Sequence, residues 1–369
     1  MTDSTMPILT PFDIHRMTLR NRLAVAPMTR VSATPEGHAT PLMRDYYRRF
    51  AQGGFGLITT EGLYTDQAFS QGYLNQPGLA DDQQAQSWSA ITQDLHAQGA
   101  RVFAQLMHAG ALSQGNRFRE HSVAPSPVKP AGRQMEFYYG EGTYAVPHEI
   151  TEAQIEEVVQ GFVKAASRAV RISGFDGIEI HGANGYLLDQ FLTAHTNLRR
   201  DRWGGDISGR VSLLAEVLKA VKQEVGSSVP VGIRISQGKV NDFAHKWPGG
   251  ESDAEVIFAT LAQAGADFIH VTEHEAWQPA FEHASESLVK LARRYAPDVV
   301  LIANGGLHDP ARANQALDDG ADIIALGRGA LSNPDMPRLL ATDRAPRAFD
   351  SAILGPIANI KDSELTASM

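Results

Sequence analysis

The chain contains no cysteine in its 369 residues. That one absence excludes disulfides, thiolate metal sites, iron–sulfur clusters and cysteine nucleophiles together. No apolar run is long enough to span a bilayer. No Lys/Arg-rich stretch offsets the formal net charge of -9, so neither a membrane nor a nucleic acid is an expected partner. The opening residues, MTDSTMPILTPF, lack a basic segment followed by an apolar one. No secretory signal is readable there, and a soluble cytoplasmic protein is expected. With 43% hydrophobic and 20% charged residues, the composition is that of a globular protein.

Eight apolar runs are present, and helical patterns alternate with them. The runs are Leu23 to Met28, Gly56 to Glu61 (closed by Gly62), Val102 to Met107, Ile178 with Ile180, Val231 to Ser236, FIHVTE, VVLIANGG and IIALGRG. Ahead of them Phe12 to Arg22 reads as a hairpin or plug, with Arg20-Asn21 as its candidate turn. Thr151 with Gln154 forms a capping-box pattern, and Ser252 with Glu255 is expected to cap a later helix. A helix–Gly–x–Asp–strand junction recurs at Gly174, Gly265 and Gly320, a weak repeat of βα units. A doubly wound open sheet would carry a glycine fingerprint after its first strand. Here that strand ends in PMTR, and the glycine motifs come at the last two strands, where barrels bind phosphate. The expected fold is a (β/α)8 TIM barrel, one domain over residues 1–369. It carries an N-terminal hairpin and a long capping insertion, residues 111–150, after the third strand.

Chemistry concentrates in GIEIHGANGYLLDQFLTAHTNLRRDRWGG, residues 177–205. A strand breaks there into His181, Asn184 and Tyr186, at the kind of strand end where barrels place ligands. If the chain turns helically after the strand, His181 and Asn184 face one way. Two neutral donors with a phenol beside them suit a substrate that develops negative charge on oxygen and then accepts a proton. The polar and charged residues from Asn197 to Asp206 read as a network bracing this loop. Asn304-Gly305-Gly306 and Gly327-Arg328-Gly329 form a candidate phosphate site on consecutive strand ends. Arg234, inside an apolar strand, needs a partner: either a structural carboxylate such as Glu179, or a cofactor ring. Gln105 is a strand amide of either core or ligand type. His270 and His274, on one strand, would stand roughly 13 Å apart, too far to share a metal.

Taken in order, LRNRLAVAPMTR, ITTEGLYT, VFAQLMHAG, GIEIHGANGYLLDQFL with NLRRDRWGG, VGIRIS, IANGG and ALGRGALSNPDMP resemble the Old Yellow Enzyme family of flavin-dependent ene-reductases. The resemblance implies FMN held noncovalently at the barrel mouth, with NADH or NADPH as reductant. It implies that Pro27, Met28, Thr29, Gly62, Gln105 and Arg234 line the flavin ring, and that Gly305, Gly306, Gly327 and Arg328 hold its phosphate. His181 and Asn184 would bind the carbonyl oxygen of an α,β-unsaturated substrate, and Tyr186 would protonate its α-carbon. Departures fall at Met107-His108-Ala109-Gly110-Ala111, which bears on the shape of the substrate pocket. The C-terminal tail also lacks an arginine pattern that reaches a neighbouring subunit, so monomer and homo-oligomer stay open. Two other readings stand beside this one: a phosphate-binding barrel performing metal-assisted hydrolysis, and a flavin-binding protein without turnover.

Overall fold

In the computed structural model, which describes residues 6–366, two short antiparallel strands, Phe12–Ile14 and Met17–Leu19, form the N-terminal hairpin. Its turn is His15-Arg16, with His15 at φ +57°, not Arg20-Asn21 as the sequence suggested. Arg20 and Asn21 serve instead as polar pins: Arg20 donates to the carbonyls of Ala51 and Phe55, and Asn21 to that of Gly54. The hairpin closes one end of a barrel, packing Ile14, Met17 and Leu19 against Leu57, Phe103, Phe268 and Ile323.

Eight parallel strands form that closed barrel in sequential order: β1 (Leu23–Val25), β2 (Leu57–Tyr64), β3 (Arg101–Met107), β4 (Gly177–Asn184), β5 (Val231–Lys239), β6 (Phe268–Thr272), β7 (Val300–Asn304) and β8 (Ile323–Leu326). Helices α1 (Pro41–Gly53), α2 (Asp82–Ala97), α3 (Glu152–Arg168), α4 (Ile207–Val225), α5 (Glu251–Gln263), α6 (Leu288–Tyr295) and α7 (Pro310–Asp318) follow the strands around it. The strands read as unbroken apolar runs because both faces are covered; all eight positions of β2 are buried. Inside the barrel large rings face glycines. A Cβ at Gly177 would press on the Phe103 ring and one at Gly232 on the Phe268 ring, and the two rings lie 5.4 Å apart.

The repeated Gly–x–Asp junction has a physical basis. Gly174, Gly265 and Gly320 take φ of +80°, +89° and +106°, left-handed conformations that end a helix without Cβ strain. Two residues on, Asp176, Asp267 and Asp322 each accept the backbone N–H of a neighbouring strand, from Val102, Val231 and Leu301 respectively. Each also meets a cation: Arg101 at 3.1 Å, Lys222 at 2.7 Å and Arg293 at 2.6 Å. The capping box at Thr151 and Gln154 forms as expected. The Ser252–Glu255 cap does not. Helix α5 starts after Gly250, leaving Ser252 inside it, and Asp253 takes the Gly249 N–H.

Residues 111–150 carry two short parallel strands, Val123–Ala124 and His148–Glu149, and a helical turn, Glu136–Tyr138. Gln114 bonds both the N–H and the carbonyl of Met135. The Phe137 carbonyl accepts the N–H of Ala358, which ties this segment to the C-terminal one.

The Asp–strand junction yields a stability prediction. Asp322→Ala removes one buried-side acceptor and the partner of Arg293, and is expected to lower unfolding free energy by ~1–3 kcal/mol. Urea denaturation measures it; an unshifted midpoint would show the junction to be decorative.

Candidate active site

The strand ends opposite the hairpin surround one cavity of about 580 Å³. Pro27, Met28 and Thr29 reach it from the end of β1, Gly62 from β2, Gln105 from β3, and His181, Asn184 and Tyr186 from β4 and the turn after it. Arg234 comes from β5, Gly305 and Gly306 follow β7, and Gly327 and Arg328 follow β8. Every site residue expected from the sequence therefore borders the same space. Gly62 does so from within β2 and not after it, where the register with β3 slips between Thr59 and Gly62. Met135, Phe137 and Tyr138 of the insertion border the cavity as well. So does Met107, whereas His108 is buried and its Nδ1 accepts the Gly110 N–H.

His181 and Asn184 converge by a route other than a helical turn. Asn184 is the last residue of strand β4, and three residues along a regular strand would leave the two side chains on opposite faces. The register with β5 shifts between Gly182 and Asn184, whose partners are Ile235 and Lys239. Asn184 takes φ +62°. This irregularity turns the amide to the side of the imidazole. It is held by the Asn184 N–H donating to Ser236 Oγ at 2.8 Å and by the Gly185 N–H donating to Asp189 at 2.6 Å. Asp189 in turn is paired with buried Lys239 at 2.7 Å. The downstream network braces the loop: Asn197 donates to the carbonyls of Phe191 and Trp203, Arg199 to that of Ile150, and Asp206 caps α4.

Arg234 has no direct bond to the carboxylate that its sequence context suggested. Its guanidinium donates to Thr272 Oγ1 and Asn304 Oδ1 at 3.2 and 2.8 Å. The Glu179 carboxylate is taken by others: Gln105 Nε2 at 2.8 Å and His270 Nδ1 at 2.7 Å. Glu179 therefore acts on Arg234 as a nearby charge and not as a direct partner. His181 is held far below the ordinary imidazole pKa, first by burial, then by the charges of Arg234 and His270. It is therefore neutral near pH 7. His181 Nδ1 and Arg234 Nε are buried without a protein partner among the described residues. His270 is buried in the barrel, while His274 lies beyond the end of β6 on the exposed rim, against the Phe243 ring.

Tyr186 is 5% exposed and its hydroxyl shares a hydrogen bond with that of Tyr73. Burial drives both phenols well above the usual value, and either hydroxyl can donate in the bond they share. Tyr138 completes the group, its ring 4.8 Å from that of Tyr73. Neither Tyr73 nor Tyr138 is legible in the sequence as a neighbour of Tyr186: Tyr73 sits in a loop and Tyr138 ends the helical turn Glu136–Tyr138, and only tertiary contact brings them together.

At the far end of the cavity Gly305 and Gly306 take φ of +133° and +67°, conformations closed to other residues without strain. Gly327 differs. A Cβ there would meet only Met28 Sδ, at 3.8 Å, so no neighbouring protein atom demands a glycine and the space is left to a ligand.

The NADH:flavin oxidoreductase / NADH oxidase family model matches residues 7–346. 12-oxophytodienoate reductase 2 of Arabidopsis thaliana is 32% identical over 92% of this chain and 89% of its own. The solved old yellow enzyme homologue from Zymomonas mobilis superposes with a TM-score of 0.87 at 29% identity, covering 98% of this chain and 99% of that one. Morphinone reductase in complex with tetrahydroNAD gives 0.81 at 30% identity, over 94% and 93%. The chain spans about half the length (48%) of a metal reductase of Desulforamulus reducens that it matches at 32% identity.

Directly behind Thr29 lies a buried carboxylate. Glu61 accepts the Arg30 N–H at 3.0 Å, and burial raises its pKa to about 7 against the lowering effect of that bond and of the Arg30 charge. A folded-state value above the unfolded one means this group favours folding fully at low pH, and that contribution is lost as pH rises through about 7. Glu61→Gln should therefore gain stability relative to the parent as pH is raised from about 5 to about 8. Thermal melts across that range test it; a difference independent of pH would contradict the titration.

Proposed function

Because the chain belongs to the NADH:flavin oxidoreductase / NADH oxidase family, that of the Old Yellow Enzymes, and is an FMN-dependent NAD(P)H oxidoreductase, we propose that it reduces the activated C=C bond of α,β-unsaturated carbonyl compounds in this cavity. The observation that carries the proposal is the convergence of an unpartnered neutral imidazole, an amide and a phenol on a space also bordered by the glycine strand ends.

The residues present fit FMN. His181 and Arg234 border the cavity, and each keeps one buried nitrogen, Nδ1 and Nε, without a protein partner among the described residues; a ligand with several hydrogen-bonding edges answers such groups. Pro27, Met28, Thr29, Gly62, Gln105 and Arg234 would hold its ring system. Gly305, Gly306, Gly327 and Arg328 would hold its phosphate, glycine allowing close backbone approach and arginine supplying charge. When bound and reduced by NADH or NADPH, FMN supplies the hydride that adds to the substrate β-carbon.

His181 and Asn184 hold the substrate carbonyl oxygen. Being neutral, they gain most as negative charge builds there, so they favour the transition state over the ground state. Tyr186 gives its proton to the α-carbon. As that proton leaves, the Tyr73 hydroxyl donates to the phenolate oxygen left behind and steadies it. The same cavity serves nicotinamide and alkene in turn. The cytoplasm, where NAD(P)H is supplied, is the compartment of action. One barrel unit with residues 111–150 as its cap carries the whole site.

Purified protein should be yellow, bleach anaerobically with NADH or NADPH, and regain colour with cyclohexenone or a maleimide. A preparation that refuses FMN sinks the proposal, and one that binds FMN without turnover reduces it to a flavin carrier. Tyr186→Phe should slow reoxidation by an enone roughly 10²-fold or more with flavin reduction nearly intact; equal loss in both half-reactions would remove the tyrosine from its role. His181→Ala with Asn184→Ala should weaken binding of phenols, which mimic the enolate, by about 10-fold or more. Stopped-flow absorbance and ligand titration give the two measurements.

A further inference from the structure

The upper layer of the barrel interior holds an ionisable group to which the reaction above gives no part. Glu179 on β4 is fully buried, lies opposite Gln105 of β3 in the strand register, and stands two residues before His181. One carboxylate oxygen accepts Gln105 Nε2 at 2.8 Å, the other meets His270 Nδ1 of β6 at 2.7 Å. We infer that Glu179 is a positioning residue: clamped by His270, it fixes which end of the Gln105 amide is left for the cofactor, and its charge offsets that of Arg234.

The argument is one of hydrogen-bond inventory. An ionised carboxylate only accepts, so it compels Gln105 to turn its NH₂ end inward. The Gln105 carbonyl oxygen and second N–H are then the groups left for the cavity that Gln105 borders. An amide without such a neighbour has two nearly equivalent orientations, with donor and acceptor exchanged. His270 closes the arrangement by occupying the second oxygen, which prevents the carboxylate from rotating away. Ionisation of Glu179 is maintained although burial opposes it: His270, Arg234 and Gln105 together outweigh that penalty and hold its pKa below the usual range. Arg234 and Glu179 thus bring one positive and one negative charge to the same layer. The carboxylate would moderate how strongly the guanidinium stabilises negative charge on a bound cofactor.

This inference rests on the FMN reading, and its test separates the two. Wild-type apoprotein and variants are titrated with FMN by flavin fluorescence quenching, and the potential of the bound flavin is measured against a reference dye. Glu179→Gln, which can donate as well as accept, should release the amide and weaken FMN binding about 10-fold or more. It should also move the potential to more positive values, since a negative charge near the reduced ring is gone. Glu179→Asp keeps the charge but withdraws it one methylene from Gln105, and should weaken binding too. It carries the test if Glu179→Gln does not fold. In a Gln105→Leu background, Glu179→Gln should add no further loss, because it acts through the missing amide. Unchanged affinity and potential in soluble variants, or losses that simply add, would overturn the inference alone. A wild-type apoprotein that takes no FMN would overturn both readings.

Discussion

A guanidinium buried inside a barrel is the constraint from which much of the upper half of this molecule follows. Arg234 is 6% exposed, and an unpaired buried charge is strongly destabilising. The fold answers it with neutral acceptors on the two following strands, Thr272 and Asn304, and with a carboxylate on the preceding one, Glu179. The acceptors are themselves fixed: Asn304 accepts from Thr272 through the same oxygen and donates to the Ala325 carbonyl. Four successive strands, β5 to β8, are thereby joined through side chains as well as through their ladders. The glycine turn that follows Asn304 inherits its position from that chain of bonds.

The same cation determines the chemistry of its neighbours. His181 lies opposite Arg234 in the register of β4 and β5, so an imidazolium there would face a permanent positive charge in a poorly solvated place. Neutrality is imposed on the imidazole by its position. A neutral donor interacts modestly with a ground-state carbonyl and more strongly with developing oxyanion character, which is the basis of the role proposed for His181. Tyr186 is kept protonated by burial, and its hydrogen bond with the Tyr73 hydroxyl lowers the cost of a phenolate there.

Legibility from the sequence followed the range of the interaction responsible. The barrel was readable because alternation of apolar runs and helices is local, and the Gly–x–Asp junctions because helix ends need left-handed residues. His181, Asn184, Tyr186 and the two glycine motifs were readable at strand ends, Gln105 and Arg234 were in-strand groups with two readings each, and the resemblance supplied the rest; all of them border one cavity. What misled was local geometry with more than one solution. His181 and Asn184 were paired by a helical spacing, while the strand achieves the same convergence through a register slip and a positive φ. Ser252 and Glu255 fit a capping pattern that a glycine-led start pre-empts. Tyr73 and Tyr138 as neighbours of Tyr186 were out of reach, because each contact joins segments far apart in the chain: Tyr73 to Tyr186 spans 113 positions. Glu179 was legible as a candidate partner of Arg234, but its carboxylate bonds Gln105 and His270 instead.

The division between barrel and additions separates chemistry from selectivity. Groups that would touch the reacting atoms arise from strands β4 and β5 or from the turn just after β4, and their positions are fixed by ladders and by buried pairs such as Lys239 with Asp189. Groups that shape the opening arise elsewhere: Met135, Phe137 and Tyr138 from the insertion, Phe243 from the loop after β5, and Leu354 from the C-terminal segment. Of that roof, residues 111–150 are tied to the loops of the barrel by many bonds, among them Ser113 to the Gln71 carbonyl, Asn116 to that of Ala68 and Arg199 to that of Ile150. Arg30, fully buried, binds Glu364 and the carbonyls of Ala358 and Asn359, and the Ala358 N–H holds the Phe137 carbonyl. One arginine beside Thr29 therefore fastens the C-terminal segment, which adds a further bond to residues 111–150. Substitutions in the roof can reshape the entrance while His181, Asn184 and Tyr186 keep their places. The reverse does not hold, since a change at β4 disturbs the register on which both the clamp and the loop beyond it depend.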